Sequence, residues 1–212
     1  MKGGTKRLAA YVYSGAVLFL SLSIALYRGG NYENSVQHFR WITNFLSDLG
    51  LSTTQSLVRL FFVLGMLSIG LAIFFLVSFY ADDFDSPKRR FAKAIAIGSG
   101  LALFSVALLP SDLYNYYHRL MLVLGLTILS ILWTVLTLSV RTNPATAGRL
   151  NVITAIILWL YLIFLFTYPR PETSIAVSMV HAQVQKSVVV IFFVSFLLLL
   201  VSEPASKIDY TN

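Results

Sequence analysis

The sequence predicts an all-α polytopic membrane bundle of six transmembrane helices, on three observations. Of the 212 residues, 57% are hydrophobic and only 12% charged, with a mean hydropathy of +0.76, far from the balance of a water-soluble domain. The apolar residues fall into six runs, each near the ~20 residues that a helix needs to cross the hydrocarbon core. With those runs removed no long polar segment remains, so residues 1–212 read as a single six-span integral membrane domain. Helices are required because backbone in lipid must satisfy its own hydrogen bonds, and the runs are too long and too evenly apolar for barrel strands.

The first run, Leu8–Tyr27, follows Lys2, Lys6 and Arg7. A secretory signal starts that way, but its apolar core is only ~7–15 residues and ends at small residues; this run is longer and ends at Tyr27-Arg28, so it reads as a retained span. The others are about Ser56–Tyr80, Phe91–Leu109, His118–Val140, Leu150–Tyr168 and Val180–Ser202. Asn143-Pro144 and Glu203-Pro204 punctuate helix ends. In the third run, Gly98-Ser99-Gly100 is similar to the serine motif of intramembrane proteases, but Ile97 stands where that motif has glycine. The small residues Ala94, Gly98 and Ala102, four apart, instead predict a face for close helix packing.

Orientation follows from the basic residues. Lys2, Lys6 and Arg7, then Lys88, Arg89, Arg90 and Lys93, then Arg141, Arg149 and Lys207 share one side; the other has Arg28, Arg40, Arg59, Arg119, Arg170 and Lys186. Both termini are therefore expected to be cytoplasmic. The net charge of +7 belongs to this pattern, and no nucleic-acid partner is expected. The segment Ala81–Arg90, acidic and then basic, reads as a solvated turn with a stop-transfer block. Cysteine is absent, which excludes disulfide frameworks, thiolate metal sites and thiol nucleophiles.

The polar groups concentrate on the outer side. His38, His118 and His181 all fall there, with Asp48, Asp112 and Glu172, the cations Arg59, Arg119 and Lys186, and Asn44, Ser47, Asn115, Gln183 and Gln185. The first outer loop, about Arg28–Gln55, is long for a compact bundle, and loops of that length tend to carry function or structure of their own. Within it Val36, Phe39, Ile42, Leu46 and Leu49 recur at helical spacing beside a polar stripe of Gln37, Arg40, Asn44, Ser47 and Asp48. That predicts an amphipathic helix stopped at Gly50, with Asn44 and Asp48 facing the same way.

Three stretches resemble a known family: Asn44-Phe45-Leu46-Ser47-Asp48-Leu49-Gly50 within Thr43–Gly50; Val58-Arg59-Leu60-Phe61-Phe62 with Gly65 and Gly70; and Leu109-Pro110-Ser111-Asp112 followed by His118. They look like the pattern of the prokaryotic membrane family called domain of unknown function 998. That family is similar in turn to the superfamily of the damage-regulated autophagy modulators and the GPI-lipid-remodelling factor. The resemblance covers about residues 8 to 202, and Phe45-Leu46 departs mildly from the usual residues before the serine. It implies six spans, a prokaryotic cytoplasmic membrane and a role with lipids.

Four functions fit the residues. The first is binding or helping to process a membrane lipid or amphiphile, with Arg59, Arg119 and Lys186 on a head group and Asn44 and Gln185 shaping the pocket. The second is a metal-dependent lipid hydrolase, with Zn held by His118 and His181 together with His38 or an aspartate, and water activated by a remaining carboxylate, Asp48 or Asp112, Ser47 being a further catalytic candidate. No HExxH pair supports it. A small-solute transporter would want acidic residues near the midplane, and the runs have none there. In a purely structural protein Asp48 would pin the loop while Arg59 and Lys186 snorkel to the interface.

Overall fold

The computed structural model of the chain describes residues 2–29, 38–41, 44–82, 84–139, 142–143, 145–168, 170 and 173–204. Of the residues singled out above, Val36, Gln37, Ile42, Thr43, Arg141, Pro144, Glu172 and Lys207 lie outside them. Six helices are long and apolar enough to cross a membrane: α1 (Lys2–Leu26), α2 (Ser56–Ala81), α3 (Ser86–Leu108), α4 (Ser111–Ser139), α5 (Ala145–Thr167) and α6 (Ile175–Val201). At ~1.5 Å per residue even the 23-residue α3 and α5 run roughly 35 Å, beyond the ~30 Å of hydrocarbon. The protein is a multi-pass integral membrane protein.

Apolar runs mark where a helix enters lipid, whereas local chemistry sets where it begins. Accordingly α3, α4 and α6 start five to seven residues before their apolar runs. Pro87 sits in the first turn of α3, where its missing N–H costs nothing. Pro110 forces Leu109 into extended backbone and ends α3. The first turn of α4 is bent at Tyr114. Ser174 caps α6, its Oγ accepting from the Val177 N–H at 3.2 Å. Several hydroxyls inside the spans return to the preceding turn, as in Ser130 to Leu126 O (2.7 Å) and Thr154 to Leu150 O (2.8 Å), which satisfies those groups where water is absent.

Each helix packs against the next in sequence, and α6 comes back to α1. The helices alternate in direction, so both described chain ends, the α2–α3 connection and the α4–α5 connection share one end of the bundle. This terminal end is fastened by Lys6 Nζ on Ser202 O (2.6 Å) and Tyr80 Oη on Leu199 O (2.8 Å), and Tyr13 Oη on Phe193 O (2.9 Å) joins α1 to α6 nearer the middle. The two-residue antiparallel pairing of Thr142–Asn143 with Glu203–Pro204 lies there too. The opposite end, called the loop end, carries the described residues between Tyr27 and Gln55.

The small-residue face is used only in part: Ala102 is buried, and a Cβ on Gly125 of α4 would stand 3.1 Å from its own. A Cβ on Gly98 would meet only Ile128, at 3.8 Å, and Ala94 is exposed. The close approach is between Gly70 of α2 and Gly100 of α3, where a Cβ on either would come within 2.9–3.1 Å of the other's Cα. Spacing along α3 alone names a stripe, but the neighbouring backbone decides which stripe is used.

Candidate functional site

Among the described residues the first loop forms no amphipathic α-helix. Leu46–Gly50 is a five-residue 3-10 helix, and the described residues before it, His38–Trp41, Asn44 and Phe45, form no helix, with a turn at Trp41. The reason is competition from Asp48. Its carboxylate turns back to accept from the Phe45 N–H (2.9 Å) and from Asn44 Nδ2 (3.1 Å), giving the backbone a tighter alternative to α-helical pairing. Asn44 does the same upstream, its Oδ1 accepting from the Arg40 N–H at 2.8 Å. The hydroxyl of Thr54 closes the exit by donating to Asp48 O (2.9 Å). Asn44 and Asp48 do face one another as their spacing suggests, within turns instead of a helix.

Gly50 is not a left-handed helix stop. It lies inside the 3-10 helix, and the one described glycine with positive φ is Gly29. What Gly50 supplies is room, because a Cβ there would stand 2.8 Å from the Phe62 ring. Leu49, fully buried, packs beside it with Tyr27, Val58, Phe62 and Ala107. The loop thus plugs the loop end, touching α2, α3, α4 and α6 at once.

Lys186 holds the plug. It lies eleven residues into α6, about 16 Å from that helix's start, and is 1% exposed. Its Nζ donates to Trp41 O and to Asn44 O (2.6 Å), lies 5.5 and 5.8 Å from the Trp41 and Phe39 ring centroids, and is in electrostatic reach of Asp48. A buried ammonium needs such a set of partners. It does not snorkel, and its donors serve the chain's own carbonyls. The adjacent Gln185 accepts from the Leu46 N–H through Oε1 (3.0 Å).

Beneath the plug lies a cavity of about 120 Å³. Ser47 and Leu46 roof it, with His118 and Gln185 at the same level; Leu122, Leu126, Leu129, Leu158, Val188, Phe192 and Tyr161 carry it toward the middle of the bundle. From His118 to Leu129 along α4 it extends about 16 Å. The His118 ring is buried, its Nδ1 donating to Leu109 O at 2.7 Å.

The other residues singled out by sequence lie apart from this space. His181 is buried on α6 against the rings of Phe164 and Tyr168, at 4.7 and 5.5 Å. His38 is exposed on the loop. Among the described residues no three His, Asp or Glu side chains form a group that could hold a metal ion. Asp112 is exposed and accepts from the N–H and hydroxyl of Ser52, fastening the loop's exit to α4. Arg59 and Arg119 are half-buried, and neither lines the cavity.

The structure also adds residues. Trp41 and Phe39, the second of which the sequence places only on an apolar face, supply ring faces to Lys186. Tyr161, inside an evenly apolar run, gave no signal of its place in the cavity wall. No family model, curated protein or solved structure matches the chain.

Proposed function

We propose that the protein binds a membrane lipid or similar amphiphile, with hydrocarbon in the cavity. The observation that carries this reading is an apolar space about 16 Å deep beneath the plug, walled almost wholly by Leu, Val, Ile, Met and Phe side chains. Apolar walls of this kind suit the hydrocarbon part of an amphiphile. A space of this measure takes about eight to twelve water-sized groups, comparable with a medium stretch of acyl chain. Hydrocarbon filling it recovers on the order of 3 kcal/mol of packing. With the termini inside, as the basic residues indicate, the roofed end belongs to the outer leaflet. The proposal extends to kinship with the six-span family that Asn44–Gly50 and Pro110–His118 resemble.

The test is lipid retention. Protein purified in mild detergent should carry lipid detectable by mass spectrometry. Leu122→Phe with Val189→Phe, which fills the space, should lower that content at least about tenfold while holding or raising the melting temperature. Unchanged lipid content in a folded double variant would defeat the reading.

A further inference from the structure

We infer that the cavity takes its hydrocarbon sideways, through a window between α1 and α6, so that its ligand is an ordinary bilayer lipid whose chain end enters while the head group stays in the outer interface. This rests on the binding reading above and names its ligand and route. The size of the space points to a chain end. At about 120 Å³ it is of the order of an apolar cavity that stays dry and holds a benzene-sized molecule. Among the described residues no Lys, Arg, Asp or Glu lines it, so a head group drawn inside would lose its water with nothing to replace it.

The seams between the helices show where a chain can pass. Consecutive helices are shut against one another. A Cβ on Gly65 of α2 would come within 2.8 Å of Leu20 on α1, Gly70 meets Gly100 between α2 and α3, and Gly125 meets Ala102 between α4 and α3. Trp159 Nε1 donates to Thr134 Oγ1 (3.1 Å) between α5 and α4, and Ser195 Oγ to Asn151 Oδ1 (2.7 Å) between α6 and α5. The approach of α6 to α1 is sparser than any of these. From the terminal end to the middle the two are joined by Lys6 on Ser202 O and by Tyr13, whose hydroxyl bonds Phe193 O and whose ring stacks on Phe196 at 5.0 Å. At the loop end the plug stands between them, the Phe39 ring lying 5.8 Å from the Tyr27 ring and 5.8 Å from Lys186 Nζ. From Lys186 to Phe193, between these two fastenings, α6 makes two turns, roughly 10 Å. Val189 lies in that stretch and Leu20 midway between Tyr13 and Tyr27; both are half-buried and both line the cavity.

A chain passing from the bilayer through this window exchanges one apolar surrounding for another. The route through the plug would instead part Lys186 from the Asn44 carbonyl and disturb the bonds of Asp48, leaving buried polar groups without partners. The plug therefore stays shut while the chain enters beneath it.

Cysteine is absent from the chain, so a bridge can be placed without background. Leu20→Cys with Val189→Cys, joined by a short bismaleimide, closes the window; Leu67→Cys with Leu101→Cys, joined in the same way across α2 and α3, is the control. The probe is phosphatidylcholine with a diazirine on the last carbon of one chain, in phosphatidylcholine vesicles, its photolabel mapped by mass spectrometry. In the wild type it should reach Leu129, Leu158 and Phe192, buried in the cavity wall, as well as the exposed Ile156. The window bridge should lower cavity labelling at least about fivefold relative to Ile156, and the control bridge less than about twofold. Leu20→Trp, which narrows the window without a reagent, should lower it about threefold. Unchanged cavity labelling in the bridged protein and in Leu20→Trp, or an equal fall with the control bridge, overturns the window and leaves lipid binding standing. Cavity labelling absent from the wild type, together with no co-purified lipid, overturns both.

Discussion

At the terminal end of the bundle, Lys6 and Tyr80 each reach a backbone carbonyl of α6, and Trp133 fills the interior against Phe196, 6.3 Å away. At the loop end the helices leave a cavity, and an inserted segment held by a buried ammonium covers it. Side chains native to the helices close one end, whereas borrowed backbone closes the other. Spans that pack fully have no space to offer; where they do not, a polar segment is admitted, and each of its groups must find a partner.

If that contrast is right, Lys186→Met should be the most damaging single change. It leaves the Trp41 and Asn44 carbonyls and Asp48 buried without their cation, a loss of about 3 kcal/mol. The apparent melting temperature in detergent should fall roughly 10 °C. Asp48→Asn combined with it should cost less than the sum of the two single changes, because the buried charges then leave together. A fall of only a degree or two for Lys186→Met would show that the plug is not held by this residue.

Midway along the bundle, Gly70→Ala should cost about 2 kcal/mol, since the added Cβ meets the Gly100 backbone, which no rotamer change relieves. Gly98→Ala should stay within about 0.5 kcal/mol. Equal melting temperatures for the two would remove the Gly70–Gly100 crossing as the place where α2 and α3 meet.

The smallest effect belongs to the terminal end. Tyr80→Phe deletes one neutral hydrogen bond to Leu199 O and should cost about 1 kcal/mol, with lipid retention unaffected. A change in retained lipid would mean that the two ends are coupled.

Much of this was legible in the sequence. Span number and approximate placement followed from run length, since bilayer thickness fixes how many apolar residues a crossing takes. Asn44, Asp48, Gln185 and Lys186 stood out because polar groups are scarce in such a chain, and they do converge. Their task was not legible. Lys186 reads from sequence as a cation seeking phosphate, and only the fold shows that irregular backbone 142 residues away supplies its acceptor at Asn44. His118 and His181 are both buried at the loop end, yet one joins the cavity wall and the other packs against the Phe164 ring of α5. Rotation about a helix axis separates them, and an evenly apolar sequence carries too little amphipathic contrast to reveal that rotation. The loop's helical spacing misled because Asp48 and Asn44 bond to nearby backbone more cheaply than a short helix can form.

The placement of Lys186 also orders the protein's biogenesis. The segment it fastens leaves the ribosome with the first span, while the ammonium arrives with the sixth. Until α6 enters the membrane, the carbonyls of Trp41 and Asn44 have no cation to meet, so this end stays accessible through the insertion of five helices and seals only when the last is in place. A chain cut before Lys186 would lack the latch for this segment.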